Sequence, residues 1–528
     1  MRPIPRALTA VAGLSLLAGA LGPVAAADPA PPDAPVTLPA TVPSLTSWEA
    51  APGTWSMTSA TRVVGSEDLA RTRDLLASEL RAVTGEAVPT APQDPDAGDI
   101  SLSLDPDRLA ELGVEGYELR VSADGIAVTG ADARGVFYGT RTVGQMLRQQ
   151  RVLPAGSAVD VPRYAERGVT ACACQINIQG DWIDRLLTDM ADLKLNHLLL
   201  EMKLKSDRHP EANTWSYYTR ADVSRLVSRA RDLGIDVIPE INSPGHMGIW
   251  LENLPEYQLV DRDGRRHPEM LDLSNPRAVQ YYLDLVDEYD GVFTTRYWHM
   301  GADEYMIGTS PANFPALARW AEQTYGAGAT VNDAFIAFVN QVNAHVKARG
   351  KSLRMWNDGV VSTNVVSLDR DITVEFWYAS GVRADVLAGR GYRVMNASDA
   401  LYWSRSATFY KMDSERLWNS DWDVGRFPGA GIDPGNPMVT GAKLSIWPDD
   451  SVYQTENEVE EEVFDSLRFV SQMTWTASHG GMDWAQFKGS VDAVGRNPLW
   501  DNVARRPVEA GTYTLTATGS DAVLGAGA

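Results

Sequence analysis

The 528-residue sequence has few cysteines, few histidines and few basic residues. Its 47 lysines and arginines are outnumbered by 69 aspartates and glutamates, which gives a formal net charge of −22. Because an acidic surface repels phosphate backbones, we expect no nucleic-acid partner. The 7 histidines are never closer together than the 12 positions that separate His197 from His209. Since no H-x-x-x-H pair exists, we expect no metal site.

The two cysteines, Cys172 and Cys174, are separated by one residue. Residues i and i+2 on a strand point to the same face, but this geometry seldom permits a disulfide. Buried free thiols and a strained local bridge are both open alternatives. In either case the stability must come from a large hydrophobic core.

Long hydrophobic runs are also scarce. Two arginines precede the apolar run from Ala7 to Leu21, and three alanines follow at 25–27. The run is too short to span a bilayer, and the small residues are typical of a cleavage site. This pattern predicts a signal peptide over 1–27, a flexible leader over 28–44 and a secreted protein. No other stretch approaches the roughly 20 apolar residues of a membrane span, so we expect none.

The remaining sequence divides into two patterned regions. Residues 45–155 mix helical and alternating segments, which predicts a small α+β domain without a cluster of reactive groups. Residues 160–503 repeat a strand followed by a helix. The last residues, 504–528, are small and polar, and they form either a tail or the start of a truncated C-terminal β domain.

The repeated region predicts an α/β fold, a (β/α)8 TIM barrel. The eight predicted strands cover 167–174, 195–202, 234–241, 297–301, 352–356, 372–377, 392–396 and 441–447. The predicted helices cover 181–193, 220–232, 276–289, 332–349, 382–389 and 455–478. A doubly wound open sheet is the alternative, but no G-x-G-x-x-G follows the first strand.

A TIM barrel carries its chemistry at the carboxyl ends of its strands. The unusual side chains of this sequence fall at those positions: His246, Asp303, Glu304, Trp356, Trp377, Tyr402, Trp447 and Asp449. Adjacent carboxylates repel each other, which raises the proton affinity of at least one of them. Asp303 and Glu304 could therefore include a carboxylic acid that donates a proton to a leaving oxygen.

The segment from His299 to Glu304 resembles the H-x-G-G-D-E signature of glycoside hydrolase family 20, with Ala302 in place of the second glycine. Further similarities follow the family's order over roughly residues 45–500, a span that includes the family's α+β domain. They are Arg163–Gly168, Lys194–Asn196, Val237–Ile241, Pro244–His246, Trp356, Trp377, Tyr402 and Trp447.

The resemblance implies a substrate-assisted retaining mechanism that needs no cofactor. Glu304 would be the general acid and then the base, and Asp303 would orient and stabilise the acetamido N–H of the sugar. Tyr402 would hydrogen-bond the acetamido oxygen, and His246 would support Glu304. Trp356, Trp377 and Trp447 would wall the pocket.

Several positions depart from the pattern of ordinary β-N-acetylhexosaminidases in this family. Their acidic or basic residues are replaced here by Gln175, Lys203-Leu-Lys205, Asn242, Ser404 and Asp449. The lost acidic contacts should loosen the grip on free 3- and 4-hydroxyls, so that a sugar substituted at O3 could enter. This combination resembles the lacto-N-biosidase branch, which releases the disaccharide Gal-β1,3-GlcNAc, and Gln175, His246 and Asp449 would bind that substrate.

Two other functions stay open at this stage. Arg167 favours an exo-β-N-acetylhexosaminidase, because an arginine assigned to that position would clasp O3 and O4 of a terminal sugar. An inactive sugar-binding barrel is the third alternative, although the intact Asp303-Glu304 pair with Tyr402 speaks against it. In each case the partner is an oligosaccharide, and the sequence does not predict the oligomeric state.

Overall fold

A computed structural model describes residues 36–174, 176–214, 217–405, 409–448 and 454–500. The predicted signal peptide and C-terminal tail lie outside these ranges, as do Gln175 and Asp449. Within the described ranges, no helix is both long enough and apolar enough to cross a bilayer.

A seven-stranded sheet forms the N-terminal α+β domain, in the order β1-β7-β5-β6-β4-β2-β3. Its strands are β1 (Glu49–Ser56), β2 (Val63–Gly65), β3 (Thr90–Ala91), β4 (Asp99–Leu104), β5 (Tyr117–Ser122), β6 (Gly125–Gly130) and β7 (Val152–Asp160). Its helices are α1 (Ala70–Thr84), α2 (Leu109–Leu112) and α3 (Ala133–Gln149). The alternating apolar pattern of β5 and β6 matches a sheet with one face against α3.

The sequence prediction missed the edges of this sheet. β1 contains Ala-Pro-Gly and is exposed along most of its length, so it lacks the alternation of a half-buried strand. The predicted domain boundary at residue 155 falls inside β7, which continues to Asp160.

The described end of the predicted flexible leader is packed against the protein. Val42 is buried, and it exchanges two 2.8 Å hydrogen bonds with the side chain of Gln145 on α3. The Ser44 N–H donates to Gln472 Oε1 at 2.8 Å. Val42 and Ser44, at the end of the predicted leader, are therefore held by side chains that lie far away in the sequence.

Eight parallel strands form the predicted TIM barrel. They are β8 (Glu166–Ala173), β9 (His197–Met202), β10 (Asp236–Glu240), β13 (Tyr297–His299), β14 (Ser352–Trp356), β15 (Thr373–Phe376), β16 (Arg393–Asn396) and β21 (Val439–Trp447). β21 pairs with both β16 and β8, which closes the barrel. The prediction is confirmed, and the open-sheet alternative is excluded.

Shorter strand pairs extend the loops of the barrel. They are β11 (Gln258–Val260) with β12 (Arg266–Leu271), β17 (Tyr402–Arg405) with β18 (Phe409–Lys411), and β19 (Arg426–Phe427) with β20 (Ala430–Gly431). β17 also pairs in parallel with β21, so Tyr402 is held beside the end of the last barrel strand.

The helices around the barrel follow the predicted alternation, with additions. They are α4 (Gly180–Asp192), α5 (Arg220–Asp232), α6 (Gly248–Leu251), α7 (Pro276–Asp290), α8 (Pro315–Tyr325), α9 (Val331–Lys347), α10 (Ala384–Gly389), α11 (Ser414–Asn419), α12 (Glu456–Glu462), α13 (Phe464–Trp475) and α14 (Trp484–Val494). The helix predicted over 455–478 is divided at Val463, which ends α12 and begins α13.

Cys172 and Cys174 form a disulfide at the end of β8. Of the two alternatives left open by the sequence, the local bridge is therefore the one that the structure contains.

Candidate active site

The loop after β13 explains the spacing of the His-x-Gly-Ala motif. The Gly301 N–H donates to His299 Nδ1 at 3.1 Å, and the Gly301 carbonyl accepts from the Trp356 N–H at 2.8 Å. A Cβ on Gly301 would lie 2.1 Å from Asn242 Oδ1, so this position requires glycine. Ala302 also has a positive φ of 70°, a conformation that costs about 1–2 kcal/mol for a residue with a Cβ. A second glycine would adopt this turn without that cost.

The turn places Asp303 and Glu304 beside two residues that follow β10. Asn242 Nδ2 donates to Asp303 Oδ1 at 2.7 Å, and Asn242 Oδ1 accepts from the Ala302 N–H at 3.2 Å. His246 Nε2 lies 3.1 Å from Glu304 Oε2 and 3.5 Å from Asp303 Oδ2. One imidazole therefore bridges the two carboxylates.

The charges of this cluster are set by its own members. Burial lowers the pKa of His246, but the hydrogen bonds to Asp303 and Glu304 outweigh it and raise the pKa to about 12. Burial raises the pKa of Asp303, but His246 and Asn242 hold it below its ordinary value. Because the pKa of His246 is raised on folding, its protonation stabilises the native state at neutral pH, and this contribution is lost as the pH rises from about 6.5 toward 12.

One carboxyl group of the site with a raised pKa belongs to Asp358, a residue that the sequence analysis missed. Burial, and then the charge of Asp303, raise its pKa to about 6. Asp358 Oδ2 accepts from the Glu304 N–H and Oδ1 accepts from Trp377 Nε1–H, both at 2.9 Å. Asp358 thus ties the acidic turn to the aromatic wall. Its position just after the fifth barrel strand is the signal that could have identified it.

Three tryptophans form one aromatic group above the barrel core. Trp356 is 2% exposed, and its Nε1–H donates to Glu240 Oε1 at 3.0 Å. Its ring centroid lies 5.7 Å from that of Trp447, which is partly exposed, as is Trp377. Trp356 therefore forms the floor of the site, and the other two rings remain accessible at its wall.

Tyr402 faces this aromatic group. Its ring centroid lies 5.9 Å from that of Trp447, because the pairing of β17 with β21 places the two residues side by side. Burial raises the pKa of Tyr402 well above its ordinary value. The phenol therefore keeps its proton and can serve as a hydrogen-bond donor.

Arg167 does not belong to this site, which corrects the expectation from the sequence. It lies at the start of β8, at the opposite end of the barrel, and is fully buried. Its Nη2 donates to Glu115 Oε2 of the N-terminal domain at 2.7 Å, and its Nη1 and Nε donate to the carbonyls of Tyr164 and Lys194. With these donors bonded to protein acceptors, Arg167 joins the N-terminal domain to the barrel.

Lys203, one of the departures from the family pattern, is also turned inward. Its Nζ donates to Thr214 Oγ1 at 2.9 Å and to the Ile249 carbonyl at 2.7 Å, and burial lowers its pKa to about 8. It braces the loops that follow β9 and β10.

His246, Asp303 and Glu304 each place one potential metal-ligand atom within 4.8 Å of the others. Two of these atoms, His246 Nε2 and Glu304 Oε2, are already in hydrogen-bond contact with each other. The structure thus brings together seven of the predicted site residues, while Gln175 and Asp449 lie outside its described ranges and stay predictions.

Comparison with known families adds an independent finding. The model for the glycosyl hydrolase family 20 catalytic domain matches residues 194–478, and the model for domain 2 of that family matches residues 38–161. A curated lacto-N-biosidase of Bifidobacterium bifidum is 55% identical over 488 residues, which cover 91% of this chain and 44% of that protein. The chain thus spans less than half the length of that relative.

More distant relatives are named as beta-hexosaminidases. Beta-hexosaminidase subunit A1 of Dictyostelium discoideum is 24% identical over 362 residues, which cover 65% of this chain and 66% of that protein. Among solved structures, the Streptomyces plicatus N-acetyl-beta-hexosaminidase in complex with Thio-NAglucal superimposes with a TM-score of 0.70 at 21% identity, covering 90% of this chain and 97% of its own. A Flavobacterium johnsoniae chitobiase superimposes with a TM-score of 0.72 at 19% identity, covering 89% of this chain and 73% of its own. These two structures share the fold.

Proposed function

Because this chain belongs to glycosyl hydrolase family 20, we propose that it is a secreted, retaining glycosidase that releases lacto-N-biose (Gal-β1,3-GlcNAc). Its substrates would be oligosaccharides such as lacto-N-tetraose, cleaved from their non-reducing ends. The observation that carries the proposal is the Asp303-Glu304 pair, held by Asn242 and His246 beside an accessible aromatic wall. Secretion rests on the predicted signal peptide.

The geometry supports a substrate-assisted reaction. The acetamido oxygen of GlcNAc attacks C1, the bond from C1 to the leaving oxygen breaks, and Glu304 gives its proton to that oxygen. Asp303 accepts a hydrogen bond from the acetamido N–H and stabilises the positive charge of the oxazolinium, while the Tyr402 hydroxyl donates to the acetamido oxygen. Water then attacks C1 as the bond from C1 to the acetamido oxygen breaks, Glu304 takes a proton from the water, and the two inversions at C1 give net retention.

Asn242 supports release of a disaccharide. Its amide donates to Asp303 where ordinary family members have an acidic residue, so one acidic group of the ordinary pocket is missing here. The argument for monosaccharide release from Arg167 lapses, because that guanidinium lies at the other end of the barrel. The 55% identity to a lacto-N-biosidase supports the same choice. Gln175 and Asp449 are proposed as further contacts to the disaccharide.

The experiment compares two aryl glycosides. We expect kcat/KM for 4-nitrophenyl β-lacto-N-bioside to exceed that for 4-nitrophenyl β-GlcNAc by about 100-fold or more, because a pocket built for the disaccharide gains the galactose contacts in the transition state. Release of nitrophenol is followed by absorbance. The opposite preference would identify an exo-β-N-acetylhexosaminidase, and binding of lacto-N-biose without cleavage of either glycoside would identify an inactive barrel.

A further inference from the structure

A cavity of about 330 Å³ lies beside Glu304, formed by the turn that follows this residue, the start of α9 and the loop after β14. We refer to it as the 305–311 cavity. Most of its lining is apolar, as in binding sites for small organic ligands. Its apolar lining includes Met306, Ile307, Pro311, Phe335, Val361 and Tyr378.

The 305–311 cavity shares two carboxyl groups with the catalytic cluster. Glu304 and Asp358 line it, whereas Asp303, Tyr402 and Trp447 are absent from its described lining. Glu304 therefore borders both the cavity and the group of residues proposed to hold the acetamido sugar. A general acid must reach the oxygen that joins that sugar to the leaving group. The leaving group consequently lies next to Glu304, a residue that also lines this cavity.

The walls of the cavity are firmly supported. Phe335 stacks on Tyr305 with ring centroids 5.9 Å apart, and the Tyr305 hydroxyl donates to the Leu271 carbonyl at 2.8 Å. Tyr378 lies 3.9 Å from Trp377, centroid to centroid, so the aromatic wall of the sugar site continues into the cavity. The surface is therefore present before a ligand binds.

Its rim carries an apolar side chain that no neighbouring group covers fully. Ile307 is 56% exposed, in the turn where its N–H donates to the Glu304 carbonyl at 3.0 Å. Apolar side chains next to a tyrosine suit a pyranose ring, which has an apolar face of C–H groups and hydroxyls at its edge.

We propose that the 305–311 cavity is the subsite for the leaving-group sugar, the hexose on the reducing side of the cleaved bond. This inference rests on the proposed role of Glu304 as the general acid. Binding energy from Ile307 and Tyr378 contributes to orienting the glycosidic oxygen toward the carboxyl group of Glu304.

The test compares Ile307→Asn with the control variant Leu109→Asn. Leu109 lies in the N-terminal domain, and its side chain is similar to Ile307 in size and exposure. For each protein, kcat/KM is measured on lacto-N-tetraose and on methyl β-lacto-N-bioside, whose methyl leaving group is too small to fill the cavity. We expect Ile307→Asn to lower the ratio of the two values about 5- to 10-fold, because burial of part of an isoleucine side chain is lost only with the sugar leaving group. Leu109→Asn should leave the ratio unchanged.

An unchanged ratio in Ile307→Asn would overturn the subsite. This result can be distinguished from failure of the proposed function. If the enzyme releases GlcNAc and not lacto-N-biose, the same ratio is measured with chitobiose and methyl β-GlcNAc. With that pair, a fall in the ratio supports the cavity as a leaving-group subsite and an unchanged ratio again contradicts it.

Discussion

The variant Glu304→Gln is expected to hydrolyse lacto-N-tetraose with a kcat about 10²- to 10⁴-fold below that of the native enzyme. Glutamine keeps the shape of the side chain and can still accept a hydrogen bond from His246, but it can neither donate the proton to the leaving oxygen nor take one from water. Steady-state kinetics with product quantification measures the effect.

A comparison of substrates sharpens this prediction. The loss should be smaller with an aryl glycoside, because a phenolate of low pKa leaves with little help from an acid. Glu322→Gln changes an exposed glutamate on α8 and is the matched control, with kinetics expected to equal those of the native enzyme. Turnover of lacto-N-tetraose close to the native rate in Glu304→Gln would show that another group is the acid.

The second large effect is expected from Asp303→Asn, which should lower kcat about 10²- to 10³-fold. The variant loses the negative charge proposed to stabilise the oxazolinium, and its new amide group faces Asn242 Nδ2 and His246 Nε2. Because the defect lies in the transition state, binding of a thiazoline mimic of the intermediate should weaken by a similar factor.

Asp124→Asn, at an exposed aspartate of the N-terminal domain, controls for a general effect of removing one negative charge. If Asp303→Asn raised KM and left kcat within a few-fold of the native value, Asp303 would contribute to substrate binding only, and the proposed role in stabilising the intermediate would be wrong.

The barrel could be predicted from the sequence because its strands are buried on both faces. Such strands give continuous apolar runs, as in the Leu-Leu-Leu segment of β9, and helices separate them in a regular order. The edge of the N-terminal sheet gives no such signal, since β1 is exposed and interrupted by proline and glycine. The position of Val42 in the predicted leader could not be predicted either, because its backbone is hydrogen-bonded to a side chain 103 residues away in the sequence.

The site was partly predictable for a similar reason. The carboxyl-end rule located His246, Asp303 and Glu304, and applied strictly it also places Arg167 at the wrong end, since that residue begins the first strand. The pKa values of the site residues could not be predicted from the sequence, because they depend on neighbours that only the fold brings together. Repulsion within the pair predicted a raised pKa for one of its members, but His246 holds the pKa of Asp303 below its ordinary value. Burial raises the pKa of Asp358, which lies 55 positions farther along the chain and was not predicted to belong to the site.

The central claim, substrate-assisted release of a disaccharide with retention, is tested most directly by proton NMR during hydrolysis of lacto-N-tetraose. The account predicts that lactose and the β-anomer of Gal-β1,3-GlcNAc appear together and in equal amounts, with the α-anomer following only by mutarotation. First appearance of the α-anomer, or release of galactose or GlcNAc in place of the disaccharide, would contradict it.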